Sequence, residues 1–251
     1  MESLPPPLGT DPDSPFPPAE SALREPDGLL AIGGDLSPAR LLNAYANGIF
    51  PWYSEGQPLL WWSPDPRTVF ETGAVRLGSR FRRQLRASGW TVVADRAFDD
   101  VVLACATSPR DGQHGTWITP AMRAAYSRLH VLGHAHSIEV LDDTGALAGG
   151  LYGVAVGRMF FGESMFSTRS GGSKLALAAL AHVLHGWGWP LIDAQVENPH
   201  LVSMGARSWP RPRFIAEVRR LAALPGRPGH WHTAFGEVPA RAVAPPASPP
   251  R

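Results

Sequence analysis

Apolar positions along the chain switch between helical spacing and strand-like alternation. Leu41, Leu42 and Tyr45 recur at helical spacing behind Asp35, Ser37 and Pro38. That pattern predicts a helix capped by Asp35 or Ser37 and stopped at Gly48. An aromatic, proline-rich loop follows (Phe50, Pro51, Trp52, Tyr53), then a short apolar strand from Leu59 to Trp62. Pro64 and Pro66 interrupt the chain and mark a boundary. Beyond them the spacing predicts a helix over 75–89, a strand over 90–98 and a helix over 98–109. Another helix is predicted from a Thr119 cap, through Pro120, to a stop at Gly133. Residues 136–167 read as three strands joined at DDTG and VGR. Lys174 to Trp187 carries Leu177, Leu180 and Leu184 on one helical face. WPLIDAQV reads as a strand, and Asn198 to Ala206 as the start of a further helix. The order predicts an α+β fold around a mixed, largely antiparallel sheet.

The ends differ in composition. Pro5, Pro6, Pro7, Pro12, Pro15, Pro17 and Pro18 crowd residues 1–22, and 238–251 are similarly rich in proline. Both stretches are expected to be disordered tails. They flank a small N-terminal domain over 23–65 and a larger domain over 66–237. The 251 residues suffice to bury a core without staples. The single cysteine, Cys105, excludes an intramolecular disulfide framework and a cysteine-based zinc cluster. No apolar run reaches ~20 residues, and the N-terminus lacks the charged and apolar regions of a signal peptide. A cytoplasmic protein without membrane association is expected. The net charge of +1 neither favours nor excludes a charged partner. Lys174 is the single lysine among many arginines, as codon bias in a GC-rich genome produces.

Polar residues inside apolar strands are the candidates for chemistry. Asp193 and Gln195 are two apart on a strand and so share a face, with Ile192, Ala194 and Val196 opposite. Burying a carboxylate is costly unless it is hydrogen-bonded. The pair is therefore either a structural polar couple or a reaction centre. Glu163, between MFFG and SMF, poses the same choice. STRSGGSKLALAAL places a glycine turn before a helix, where free N–H groups can hold an anion. Arg169 and Gly172 fit the pyrophosphate loop of acetyl-CoA enzymes, but Lys174 stands where that loop needs Gly or Ala. His130, His134 and His136 cluster without an evident carboxylate partner, so no metal is expected. A serine triad is unsupported, since no Gly-x-Ser-x-Gly elbow occurs. Trp52 and Trp117, on loops, could be core residues or stacking platforms for unpaired bases. Arg80, Arg82, Arg83 and Arg86 are either a solvated helix face or contacts to phosphates, in which case affinity must fall with salt.

The stretches GLLAIGGDLSPARLLNAYANGIFPWYSEGQPLLWWSPDPR, LHVLGHAHSIEV, LAGGLYGVAVGRMFFGESMFS, SKLALAAL and LIDAQVENPHLVSMGA cover most of residues 28–206. Together they resemble the leucyl/phenylalanyl-tRNA–protein transferases. The resemblance implies a small N-terminal domain joined to an acetyltransferase-like (GNAT-type) domain. It implies an enzyme that moves Leu or Phe, less readily Met, from aminoacyl-tRNA to proteins beginning with Arg or Lys, marking them for proteolysis. No cofactor and no acetyl-CoA are implied, and a monomer is the default. It places Asp193, Gln195 and Glu163 at the reaction centre. Leu151, Met165, Leu177, Leu180, Leu184 and Ile192 fall where the family lines its amino-acid pocket, and Trp52 and Trp117 where it holds the aminoacyl-adenosine end. Arg80, Arg82, Arg83 and Arg86 are candidates for tRNA phosphates. This chain departs from the family at Gly171 and Gly172, and by carrying Leu180 and Leu184 where aromatic residues are common. The rival readings are an acetyl-CoA-dependent N-acetyltransferase and a non-catalytic RNA-binding module.

Overall fold

The computed structural model describes residues 5–12, 14–108 and 116–245. Two sheets divide the chain. The first is built from β1 (Pro7–Leu8), β2 (Leu29–Gly33), β3 (Phe50–Pro51) and β4 (Leu60–Trp62) in the order β1-β2-β4-β3. Helix α1 (Pro38–Ala46) connects β2 to β3, with Ser37 as its N-cap accepting from the Arg40 amide and Pro38 in its first turn.

The second sheet holds β5 (Arg67–Glu71), β6 (Thr91–Ala94), β7 (Ala135–Leu141), β8 (Leu147–Val156), β9 (Met159–Ser167), β10 (Leu191–Gln195), β11 (Arg207–Trp209) and β12 (Val238–Pro239). Its order is β11-β5-β10-β9-β8-β7-β6-β12. Every pairing is antiparallel except β9 with β10. A parallel pair needs a crossover, and α5 (Gly172–Gly186) supplies it. The sheet is thus mixed and largely antiparallel, in an α+β arrangement.

Strand alternation sorts the core into two layers. Phe161, Tyr152 and Val154 face α1, α3 (Phe98–Thr107), α4 (Pro120–Val131) and α7 (Arg211–Ala222). Phe160, Leu151 and Ile138 face α5, α2 (Ser79–Ala87) and α8 (His232–Phe235). A short helix, α6 (Pro199–Ser203), lies between β10 and β11. Among the described residues no helix is long and apolar enough to cross a membrane.

The ends correct the expectation of tails. Within 1–22, β1 pairs with β2, Ala19 is buried, and Phe16 meets Trp61 edge-on at 4.8 Å. The Arg40 guanidinium donates to the Gly9 and Asp11 carbonyls at 2.9 and 2.6 Å. Within 238–251, β12 pairs with β6, and Ala240 and Ala244 are buried. Proline removed regular structure from these stretches without removing apolar contacts. Residues 1–4, 13 and 246–251 of these expected tails, and 109–115 of the loop before Trp117, lie outside the described residues.

The start of α5 also departs from the pattern. Its N-cap is Gly171 at φ 90°, with no side-chain cap, rather than a turn capped by Ser173. Glycine is needed at 172 for close approach. A Cβ there would lie 2.2 Å from the Ala148 carbonyl oxygen, so α5 rests directly on the β8 backbone. Gly172→Ala is expected to cost about 2 kcal/mol through overpacking and to lower the thermal midpoint by roughly 5 °C, read by calorimetry. An unchanged midpoint would show that the helix rides clear of the sheet.

Candidate functional site

The parallel register of β9 and β10 runs from Leu191 opposite Met159 to Asp193 opposite Phe161 and stops there. On its other edge β10 shifts register against β5 between Asp193 and Gln195. Gln195 adopts φ 61°, in the left-handed region. For a residue with a Cβ this costs roughly 1–3 kcal/mol. The strict alternation read from the sequence fails at this bulge, and Val196 is exposed rather than packed. The strand therefore ends by turning Gln195 toward Glu163 on β9.

A cavity of about 420 Å³ opens where the two strands part. Phe70, Leu151, Phe160, Leu177, Leu180 and Ile192 form its apolar part. Met165, Trp52 and Trp117 also line it, with Trp52 40% exposed. Asp193, Gln195 and Glu163 supply its polar edge. An apolar hollow with a few convergent polar groups is the usual form of a small-molecule site. Leu184, expected with the other pocket residues, does not line it. One helical turn beyond Leu180, it is fully buried in the core under α5.

The polar edge is held from below. Arg67, at the start of β5 and fully buried, donates from Nε to Asp193 Oδ1 at 2.8 Å and from Nη2 to Oδ2 at 2.6 Å. Its Nη1 donates to the Gly48 carbonyl at 3.0 Å. The guanidinium lies 4.7 Å over Phe50 and 4.6 Å over Phe214. Asp193 Oδ1 also accepts from the Gln195 amide at 2.9 Å. One carboxylate thus neutralises a buried cation and pins the strained residue beside it.

Glu163 sits one layer away. Its Oε1 is 2.7 Å from the Tyr45 hydroxyl and accepts from Gln195 Nε2 at 2.8 Å. Its Oε2 is 2.9 Å from the Tyr126 hydroxyl. With the carboxamide nitrogen committed to Glu163, the oxygen of Gln195 is the end available to the cavity. Burial, aided by the charge of Asp193, pushes Glu163 up to about 7 against the tyrosine hydrogen bonds and Arg67. Burial and the nearby Glu163 hold both tyrosines well above the usual phenol value.

The other candidates lie elsewhere. Arg80 and Arg83 are exposed on α2, Arg82 is half-buried, and Arg86 donates to the Ala244 carbonyl at 3.2 Å. At the start of α5, the Gly172 amide bonds the Arg169 carbonyl and the Ser173 amide bonds Ser167 Oγ, so two donors of the suspected anion loop are taken. Asp95, His130 and His230 bring possible ligand atoms within 4.8 Å. The Asp95 oxygens already accept from His136, Ser137 and Trp231, and His130 Nδ1 bonds the Ala135 carbonyl.

Sequence reasoning missed Arg67, Tyr126, Phe70 and Phe160, and read Tyr45 as core. The signal for Arg67 was the one used for Asp193, a charge inside an apolar strand. Arg67→Met leaves a buried, unpaired carboxylate and is expected to cost about 3–5 kcal/mol in urea denaturation. Adding Asp193→Leu removes that orphaned charge and is expected to recover most of the loss. Equal losses in the single and double variants would count against a coupled pair.

The family described as leucyl/phenylalanyl-tRNA protein transferase matches residues 69–219, and the N-terminal domain of the same family matches residues 34–65. The leucyl/phenylalanyl-tRNA–protein transferase of Xanthomonas euvesicatoria pv. vesicatoria is 70% identical over 230 residues, 92% of each chain. That of Xanthomonas campestris pv. campestris (strain 8004) is 66% identical over 96% of this chain and 97% of its own. Among solved structures, a functionally unknown conserved protein from Staphylococcus epidermidis covers 72% of this chain and 68% of its own, at 8% identity and a TM-score of 0.40. A superposition that loose assigns no fold family.

Proposed function

The chain belongs to the leucyl/phenylalanyl-tRNA–protein transferase family, and we propose that the cavity edged by Asp193, Gln195 and Glu163 is where it joins a leucyl or phenylalanyl group to an acceptor protein. The protein is an aminoacyltransferase that moves an amino acid from tRNA to protein. The observation that carries the site assignment is the apolar hollow bordered by a buried guanidinium–carboxylate pair that holds the Gln195 backbone and by the Gln195 carboxamide bonded to Glu163.

An aminoacyl ester is already activated, so peptide-bond formation needs positioning more than force. The donor's side chain enters the hollow between Leu151, Leu177, Leu180 and Ile192. Burying a Leu or Phe side chain stabilises by ~1.5–3 kcal/mol. The pliable Met165 adapts to either shape. Trp52 and Trp117 take the terminal adenosine by stacking.

The acceptor is a protein α-amine, ordinarily titrating near ~7.7–8.0, so a useful fraction is neutral at cellular pH. Gln195 Oε1 accepts a hydrogen bond from that amine and aims its lone pair at the ester carbonyl. An amide oxygen is barely basic, so Gln195 orients rather than deprotonates. Asp193, held by Arg67, fixes Gln195 through its backbone. Glu163 orders the carboxamide. The ester C–O bond breaks as the new C–N bond closes, and the proton shed by the nitrogen goes to the departing 3′ oxygen of the tRNA.

The finer reading follows the family. Acceptors begin with Arg or Lys and are marked for N-degron proteolysis. The larger domain is of the GNAT type and uses no acetyl-CoA. The enzyme works as a cytoplasmic monomer, with Arg80 and Arg83 meeting tRNA phosphates.

Labelled Leu-tRNA mixed with an Arg-starting peptide is expected to transfer label to the peptide, and Gln195→Ala to lower kcat/KM by about a hundredfold, a size typical of a positioned polar group. Normal transfer by Gln195→Ala would end the assignment. Replacing Arg80 and Arg83 by Ala is expected to weaken tRNA binding and reduce the log–log salt slope by about 1–2. An unchanged slope removes these arginines from the tRNA path.

A further inference from the structure

The reaction-centre reading leaves Tyr45 and Tyr126 without a role. Tyr45 comes from α1 and Tyr126 from α4, and both are fully buried. Their hydroxyl oxygens are 2.5 Å apart. Each also touches one oxygen of Glu163, at 2.7 and 2.9 Å. The two hydroxyls and the Glu163 carboxyl, with its two oxygens, thus form a closed triangle of three groups with three hydrogen-bond edges.

Each edge needs its own proton. The two phenols supply two. With Glu163 ionised, one edge is a pair of oxygen lone pairs in contact, which is repulsive. The triangle closes when Glu163 carries the third proton. We propose that Tyr45 and Tyr126 are positioning residues that commit the proton of the neutral Glu163 acid to the ring, so that Gln195 can meet Glu163 through its nitrogen alone. A carboxylic acid beside a carboxamide otherwise has two choices. It can accept from the amide N–H, or donate to the amide oxygen. The second choice turns the NH₂ group toward the cavity, where it cannot accept from an attacking amine. The ring removes that choice. This role rests on Gln195 Oε1 receiving the amine, as proposed above.

The groups facing Glu163 are consistent with a neutral acid. Asp193 approaches from β10 and disfavours a second negative charge. Arg67 on β5 favours one, but its three guanidinium nitrogens are engaged by Asp193 and the Gly48 carbonyl. Tyr152 on β8 stacks edge-on to Tyr126 and couples electrostatically to both phenols. Glu163 itself is raised to about 7 by burial. The hydrogen bonds from the tyrosines lower it, so deleting a hydroxyl raises it further.

The sign of the pH effect follows. In Tyr45→Phe the Glu163 proton is no longer committed and can turn Gln195 around. As pH rises Glu163 ionises, becomes acceptor-only, and the productive amide sense returns. The ratio of Tyr45→Phe to wild-type kcat/KM is therefore expected to rise about tenfold between about pH 6 and about pH 8.5. Taking the ratio cancels titration of the acceptor amine. Tyr126→Phe is expected to behave alike, and agreement of the two guards against a local folding defect in either. Infrared difference spectra of wild type against Glu163→Gln are expected to show a protonated-carboxyl C=O band at about pH 6 that fades above neutrality. A pH-independent ratio in folded variants, or no such band in wild type, overturns the ring. The band is read without turnover, so its absence condemns the ring even where Gln195→Ala has lost activity, and the two failures are told apart.

Discussion

The Arg67–Asp193 pair is the interaction on which the site's geometry rests. Both side chains are removed from solvent, so each is tolerable because the other is there. The guanidinium has further partners that belong to different parts of the chain. Gly48 and Phe50 come from the first sheet's connections, Asp193 from β10, and Phe214 from α7. A planar fork with fixed donor directions can satisfy these partners in one arrangement, which a lysine could not. The pair thereby ties the small N-terminal unit, the central sheet and α7 to one point. That point lies directly beneath the left-handed Gln195. Strain at a residue persists when its surroundings over-determine it, and the Asp193 oxygen does so here.

Much of this was legible in the chain. Helix α1 was signalled by Ser37 and Pro38, α4 by Thr119 and Pro120, and the β7-β8-β9 meander by alternation with turn residues at DDTG and VGR. These signals are local, and local preference agreed with the fold. Asp193, Gln195 and Glu163 stood out because a polar side chain within an apolar strand demands a partner. Helical spacing put Leu177, Leu180 and Leu184 on one face of α5, and the family resemblance placed that face, Leu184 included, in the pocket. Spacing identifies a face but not the depth at which a neighbouring strand closes the hollow over it.

What stayed hidden was long-range. Arg67 finds Asp193 across 126 residues, and Tyr45 finds Glu163 across 118. No periodicity encodes such a meeting. The proline-rich ends were misread for a related reason. Proline abolishes regular patterns, yet Phe16 and Ala19 still bury apolar surface against a sheet that forms elsewhere. Gln195's turn arises from the shift in pairing between β10 and β5, which two-residue alternation cannot express.

The charge balance of the cavity edge matters for the nucleophile. Asp193 and Arg67 cancel. With Glu163 protonated, the polar edge carries oriented dipoles and no net charge. An anion facing the cavity would stabilise an ammonium, the form of an amine that cannot attack. A dipolar oxygen from Gln195 accepts a hydrogen bond from a neutral amine without that bias. The ester carbonyl, sharing the cavity with apolar side chains, likewise gains nothing from a fixed negative charge nearby. A buried pair that neutralises itself and an acid kept neutral by burial therefore favour the reactive partners over their ionised resting forms. The apolar hollow completes the arrangement, because exclusion of water strengthens the few dipoles that remain.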